Sequence, residues 1–193
     1  MDTLDKLKPL IKKTIFSSAQ ARKVGVSSGL LPYYVKIGLI KKIGHGLYQG
    51  SDVTLDVDFQ WEDLVLAYKT VRNGVICLTS ALSLYNLTEE IAREHWIAVR
   101  NSTTVSKKPH VKIVRMRNIK TGLTTLKLGS ETLRIFDIER TVIDSFRYLS
   151  IETALKALKT ALNEKKINLL TLQKYCKTLR VNLNPYVLAL TTP

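Results

Sequence analysis

SSAQARKVGVSSGLLPYYVKIGLIKKIGHGLYQ, residues 17–49, is the stretch whose spacing decides the fold of the N-terminal part of this chain. Ser17 and Gln20 form an S-x-x-Q capping box, in which each side chain satisfies a backbone N–H of the other residue and so opens a helix. Ala21 is small where a second helix must cross closely, and Gly25 stands where the turn between the helices calls for positive φ. Val24, Val26, Leu31 and Tyr34 fall at offsets that point into a small shared core. Gln20 takes a position more often apolar, and Pro32 is unusual within the second helix. Only the first turn of a helix lacks intrahelical N–H partners, so proline is tolerated there and costs about 3 kcal/mol further in. Next, Ile40-Lys41-Lys42-Ile43-Gly44-His45-Gly46-Leu47-Tyr48 alternates with period two around a glycine-flanked tip, as a hairpin does. Helix, tight turn, helix and basic hairpin make the order of a winged helix-turn-helix, which lays its second helix in the major groove of DNA.

The 193 residues carry a formal charge of +14 with a pI near 9.8, and such an excess speaks to polyanionic partners rather than to fold. The net charge is +7 over residues 1–50, +2 over 51–150 and +5 over 151–193, so both ends are basic and the middle is nearly balanced. Cys77 belongs to the apolar run Val75-Ile76-Cys77-Leu78 and reads as a buried core thiol. It lies far in sequence from Cys176, and two cysteines with three histidines offer no zinc spacing. The segment MDTLDKLKPLIKKT lacks the apolar stretch of a signal peptide, and no apolar run approaches the roughly 20 residues of a membrane span. A reducing cytosol is the expected address.

Elsewhere the periodicities alternate between helix and strand. Residues 2–13 place Leu4, Leu7, Leu10 and Ile11 on one helical face. The acidic, aperiodic stretch Gly50–Asp58 marks a domain boundary. Trp61, Leu64, Val65, Tyr68 and Val71 recur at helical spacing up to a stop at Asn73-Gly74. A buried strand at 75–78 leads to a helix beginning at Thr79 or Ser80. His95–Arg100 and Val111–Met116 read as strands, separated by the polar loop holding Lys107-Lys108-Pro109-His110. Leu123–Leu128 and Glu131–Phe136 flank Gly129-Ser130, a two-residue type II′ turn that sets Leu126 across from Leu133. Asp137 caps a helix with Ile138, Val142, Ile143 and Phe146 inward. Ile151, Ala154, Leu155, Leu158, Ala161 and Leu162 form the cleanest amphipathic helix, and two helices, 168–180 and 184–190, close the chain. The expected class is therefore α+β: an N-terminal winged helix-turn-helix, residues 1–50, then a mixed α/β C-terminal domain, residues 51–193, with a small sheet and several helices.

With these pieces in order, the chain resembles the AbiEi family, antitoxins and transcriptional repressors of bacterial type IV toxin–antitoxin (abortive infection) pairs. The likeness rests on Phe16–Ala21 leading to Gly25-Val26-Ser27, on Tyr34–Lys42, and on the hairpin phrase Gly44-His45-Gly46-Leu47-Tyr48. It continues through Thr79-Ser80-Ala81-Leu82 after a buried strand and Phe136–Asp144, where an extended strand turns into an E-R-T-x-x-D helix. It spans about residues 14 to 165, and the order of soft motifs makes it specific. The resemblance implies a repressor that binds inverted repeats in double-stranded DNA at its own promoter. It also implies a second domain that counters a partner toxin resembling a nucleotidyltransferase, with no stable complex required.

The residues expected to meet DNA are Ser27, Ser28, Tyr33 and Lys36 on the second helix, Lys41, Lys42 and His45 on the hairpin, and Arg22 and Lys23 on the preceding helix. Other roles stand beside these: capping for the serines, a solvated face for Lys36 and the hairpin cations, and packing against the hairpin for Tyr33. Arg140 and Asp144, four apart on one helix, suit an ion pair with each other. Lys107, Lys108, Lys156, Lys159, Lys165 and Lys166 are either an extension of a nucleic-acid surface or solvated charges. Gly50-Ser51 followed by Asp56-Val57-Asp58-Phe59 superficially resembles a nucleotidyltransferase signature, but four intervening residues leave no room for the helix that chemistry needs. Glu164-Lys165-Lys166 matches the E-x-K of some nucleases, yet at a helix end. No enzyme activity, cofactor or metal is expected. A non-enzymatic module that binds protein or RNA, and a metal-dependent nuclease or nucleotidyltransferase, are the alternative readings.

Overall fold

Leucines at helical spacing bury one side of the first helix, α1 (Thr3–Ile11), through Leu7 and Leu10. In the computed structural model, residues 3–13, 15–90 and 92–191 are described, so residue 2 of the expected first helix lies outside them. The chain divides into two compact units, residues 1–72 and 73–193. The boundary expected near residue 50 thus falls one helix short of this division. It is mixed α+β, with nine helices and two sheets among the described residues.

In the first unit, α1 is followed by β1 (Phe16–Ser17), α2 (Ser18–Lys23), α3 (Leu31–Lys36), β2 (Ile40–Gly44), β3 (Leu47–Gly50) and α4 (Phe59–Lys69). The expected hairpin forms between β2 and β3, but it gains a third strand, giving the antiparallel order β1-β3-β2. Phe16 pairs with Tyr48 in this register, and their rings stack with centroids 5.8 Å apart. Two residues are too few to announce a strand by alternation, so β1 had no signal of its own. Phe16, Ala21, Val26, Leu31, Tyr34, Ile40 and Tyr48 share one core with Leu7 and Leu10, and Val24 packs against it. Helix α4 stops at its C-cap Thr70, earlier than expected, and Asn73 takes left-handed backbone (φ 57°) three residues later.

The second unit contains β4 (Val75–Ile76), α5 (Leu78–Leu84), β5 (His95–Arg100), β6 (Val111–Met116), β7 (Leu123–Leu128) and β8 (Glu131–Phe136). Helices α6 (Ile138–Tyr148), α7 (Ile151–Asn163), α8 (Leu169–Leu179) and α9 (Asn184–Thr191) follow. The sheet order is β6-β5-β4-β8-β7, with β5/β6 and β4/β8 parallel and the other two pairs antiparallel. Leu126 faces Leu133 as the turn predicts, and Gly129 takes the positive φ (+55°) that a II′ turn places at its first central residue. The expected strand at 75–78 is shorter: α5 already begins at Leu78, and the Ser80 hydroxyl accepts from Trp96 N–H at 2.9 Å, tying that turn to β5. Cys77 is fully buried, and burial pushes its thiol well up from the ordinary cysteine range. Helix α7 buries Ala154, Ala157, Leu158 and Ala161, whereas Ile151, expected inward, is 52% exposed as the first residue after the Ser150 cap.

Candidate nucleic-acid interface

The capping box at Ser17 is made as the spacing requires: Gln20 N–H donates to Ser17 Oγ at 3.2 Å and Ser17 N–H donates to Gln20 Oε1 at 2.7 Å. Gln20 is exposed, so its polar identity serves the cap rather than the core. Arg22 and Lys23 occupy the last turn of α2, exposed, where cations complement the helix dipole. Gly25 takes φ +82°, and Val26 N–H returns to Ala21 O at 2.9 Å, closing the turn.

Ser27 and Ser28 are exposed but do not open the second helix as expected. Helix α3 starts at Leu31, its N-cap Leu30 is already in right-handed helical backbone with no side-chain cap, and Pro32 is its second residue. Ser27 instead organises the connection: its Oγ accepts from Gly29 N–H at 3.2 Å, and its carbonyl accepts from Leu30 N–H at 3.1 Å. Short polar side chains favour such local bonds over helix entry. The proline thereby sits in the turn that has no intrahelical N–H to lose.

Leu31 and Tyr34 face the core from α3. Outward lie Tyr33, 57% exposed, and Lys36, joined by Leu30 (38%) and Ile37 (54%) one turn to either side. Tyr33 sets its ring against Tyr34, with centroids 5.7 Å apart. Leu30 and Ile37 were missed by the sequence reading, although their i−3 and i+4 spacing from Tyr33 was the available signal.

Lys41 and Lys42 are exposed on β2, opposite Gln49 and Tyr48, and a register shift follows between Lys42 and Gly44. His45 is exposed at the tip. Gly46, at φ +66°, accepts at its carbonyl from Ser18 N–H at 2.8 Å, which anchors the tip to the start of α2. No Asp or Glu occurs between Asp5 and Asp52, so all the cations from Arg22 to His45 belong to a segment free of acids. All nine residues expected to contact DNA are solvent-exposed in this one unit.

The acidic motifs have local roles. Asp58 caps α4, its Oδ1 accepting from Gln60 N–H at 3.3 Å, and Glu164 ends α7 and pairs with Lys166 at 2.6 Å. Among the C-terminal lysines, Lys156 pairs with Glu152 at 2.8 Å and Lys166 also donates to the Tyr85 carbonyl at 2.8 Å. Among the described residues no helix is long and apolar enough to cross a membrane. Neither a protein-family model nor a curated protein matches this chain.

Proposed function

We propose that the protein is a sequence-reading, double-stranded DNA-binding transcriptional repressor whose first unit is a winged helix-turn-helix. On this reading α3 enters the major groove and the β2–β3 hairpin is the wing. The observation that carries it is the exposed row Leu30, Tyr33, Lys36 and Ile37 beside a hairpin bearing Lys41, Lys42 and His45, in a segment without acids. Lys36 and Tyr33 then supply hydrogen bonds to base edges or phosphate, while Leu30 and Ile37 offer apolar contact of the kind thymine methyls accept. The wing cations and Arg22 and Lys23 hold the backbone in register. The roles of antitoxin against a nucleotidyltransferase-type toxin and of self-repression at inverted repeats rest on the resemblance to the AbiEi family alone.

Binding of the full chain to its own upstream DNA, measured across a salt series with unrelated competitor present, tests the reading. Retention in the presence of competitor is expected. K41A/K42A should weaken binding to all sequences and reduce the slope of log K against log salt by roughly two phosphate contacts. An unchanged slope sinks the wing assignment. The exposed apolar row on α3 favours one second reading, a protein-docking helix. Salt-insensitive pull-down of a protein partner, with no DNA preference, would establish it instead.

A further inference from the structure

Half of the arginines of this chain line a single recess. The second unit holds a cavity of about 340 Å³ walled by Arg115, Arg117, Arg140, Arg147 and Arg180, with Tyr148 at its edge. The protein contains 20 lysines and 10 arginines, yet none of the cations lining this recess is a lysine. Guanidinium differs from ammonium in its planar fork of donors, which matches phosphate oxygens two at a time. A merely solvated basic surface gives no reason for that choice.

The arginines do not share one role. Arg140 is the floor, with 1% exposure and its donors engaged. Its Nε bonds Asp144 Oδ2 at 2.7 Å, Nη1 bonds Thr121 O at 3.0 Å and Nη2 bonds Asn118 O at 3.0 Å. Arg147 reaches the same carboxylate at 3.4 Å and lies 5.3 Å from the Tyr148 ring. Arg115 donates to the Thr103 carbonyl. Arg117 and Arg180 are exposed and have no acidic partner among the described residues. Among the described residues, Asp144 is the carboxylate that forms ion pairs with these guanidinium groups, and Arg140 already holds it. Helix C-termini account for a cation at Arg147 or at Arg180, which ends α8. They do not account for Arg115 and Arg117, contributed by β6 and the segment after it.

We propose that this recess binds a phosphorylated mononucleotide. Arg117, Arg147 and Arg180 grip the phosphate, and Tyr148, 39% exposed with the Arg147 guanidinium over one side of its ring, offers the other side to stack on the base. The volume lies within the few hundred Å³ usual for small-ligand sites. The site stands apart from the DNA reading of the first unit and does not depend on it.

Calorimetric titration of the full chain with ADP, adenosine and inorganic phosphate at fixed ionic strength tests this. ADP is expected to bind, inorganic phosphate to compete with it, and adenosine to give no saturable heat. R117Q/R180Q replaces two exposed side chains and should weaken ADP binding by roughly tenfold or more, the loss expected for charge-assisted hydrogen bonds. K107Q/K108Q removes the same charge from a loop that does not line the recess and should leave ADP affinity within about twofold. Absence of ADP binding at millimolar concentration overturns the proposal, as does equal weakening by both double variants. If R117Q/R180Q weakens only a short DNA duplex and not ADP, the recess is part of a backbone track and the nucleotide site is overturned. Circular dichroism of both variants separates loss of binding from loss of fold.

Discussion

Arg140 and Asp144 show what burial does to a pairing that spacing alone makes ordinary. On an exposed helix an i, i+4 ion pair is worth a few tenths of a kcal/mol. Here both side chains are 1% exposed, the guanidinium lies 4.5 Å from the Phe136 ring, and the Thr121 and Asn118 carbonyls and the Met116 sulfur accept from its Nη1 and Nη2 groups. Burial raises the Asp144 carboxyl above the usual aspartate range, while Arg140 and then Arg147 pull it back down. Arg140→Ala leaves that buried carboxylate only the longer contact from Arg147, at 3.4 Å, and urea unfolding should show a loss of about 3 kcal/mol. Asp137, the cap of α6, is also raised by burial, with its bonds from Arg140 N–H and the Tyr175 hydroxyl opposing. A raised carboxyl means that the folded state binds more protons than the unfolded one at pH just above the ordinary aspartate value of 3.8. The stability it contributes is complete below that value and is lost as pH rises through the folded one. Asn is an equally good cap, so Asp137→Asn should fold. Its stability relative to wild type should improve as pH rises from about 4 to 6. A deficit that grows with pH would show that the ionised carboxylate is the stabilising form.

The elements are held by caps and turns at specific positions, which makes them breakable one at a time. Gly122 leads into β7 with φ +70°, its carbonyl accepts from Asp137 N–H at 2.7 Å, and an added Cβ would lie 2.4 Å from Arg140 Cβ and 2.7 Å from Asp137 Oδ1. Neither neighbour is a free side-chain end, since one is fixed by the helix backbone and the other by its capping bonds. Gly122→Ala should therefore cost more than the roughly 1–2 kcal/mol of left-handed backbone alone, read as a lowered thermal midpoint. Ser17→Ala removes one half of the capping box and should cost about 1 kcal/mol. It should also weaken DNA binding if α2 orients α3 and the hairpin tip through Ser18. At this scale the sequence was largely legible. The II′ turn specified the β7–β8 register, and apolar spacing found α7 within a residue. It misplaced Ser27 and Ser28 because a serine that caps a helix and one that closes the turn before it look alike in sequence.

Over the whole molecule, charge is divided differently from the way the segments 1–50, 51–150 and 151–193 suggest. Residues 1–72 carry 11 Lys and Arg against 7 Asp and Glu, net +4, and residues 73–193 carry 19 against 9, net +10. The acidic stretch after residue 50 belongs to the first unit and offsets part of its basic half. If the first unit reads sequence and the second adds non-specific attraction, a fragment of residues 1–72 should keep the preference for its own upstream DNA. It should bind more weakly overall, with a shallower salt slope than the full chain. Anisotropy titrations at several salt concentrations check this, and a slope equal to that of the full chain would show that the charge of the second unit does not face the DNA.

The sequence by itself determined what is local: where most helices and strands lie, the caps at Ser17 and Asp137, the Gly129-Ser130 turn, and which cations of residues 17–49 stand outside the apolar pattern. These follow from periodicity and backbone preference over a few neighbouring residues. Only the tertiary structure decided the sheet order β6-β5-β4-β8-β7, the two-residue strand β1, the burial of Arg140 and the gathering of five arginines around one recess. Each of those depends on partners tens of residues apart. Their pairing is selected by burial and hydrogen-bond satisfaction in the folded chain, which no local spacing encodes.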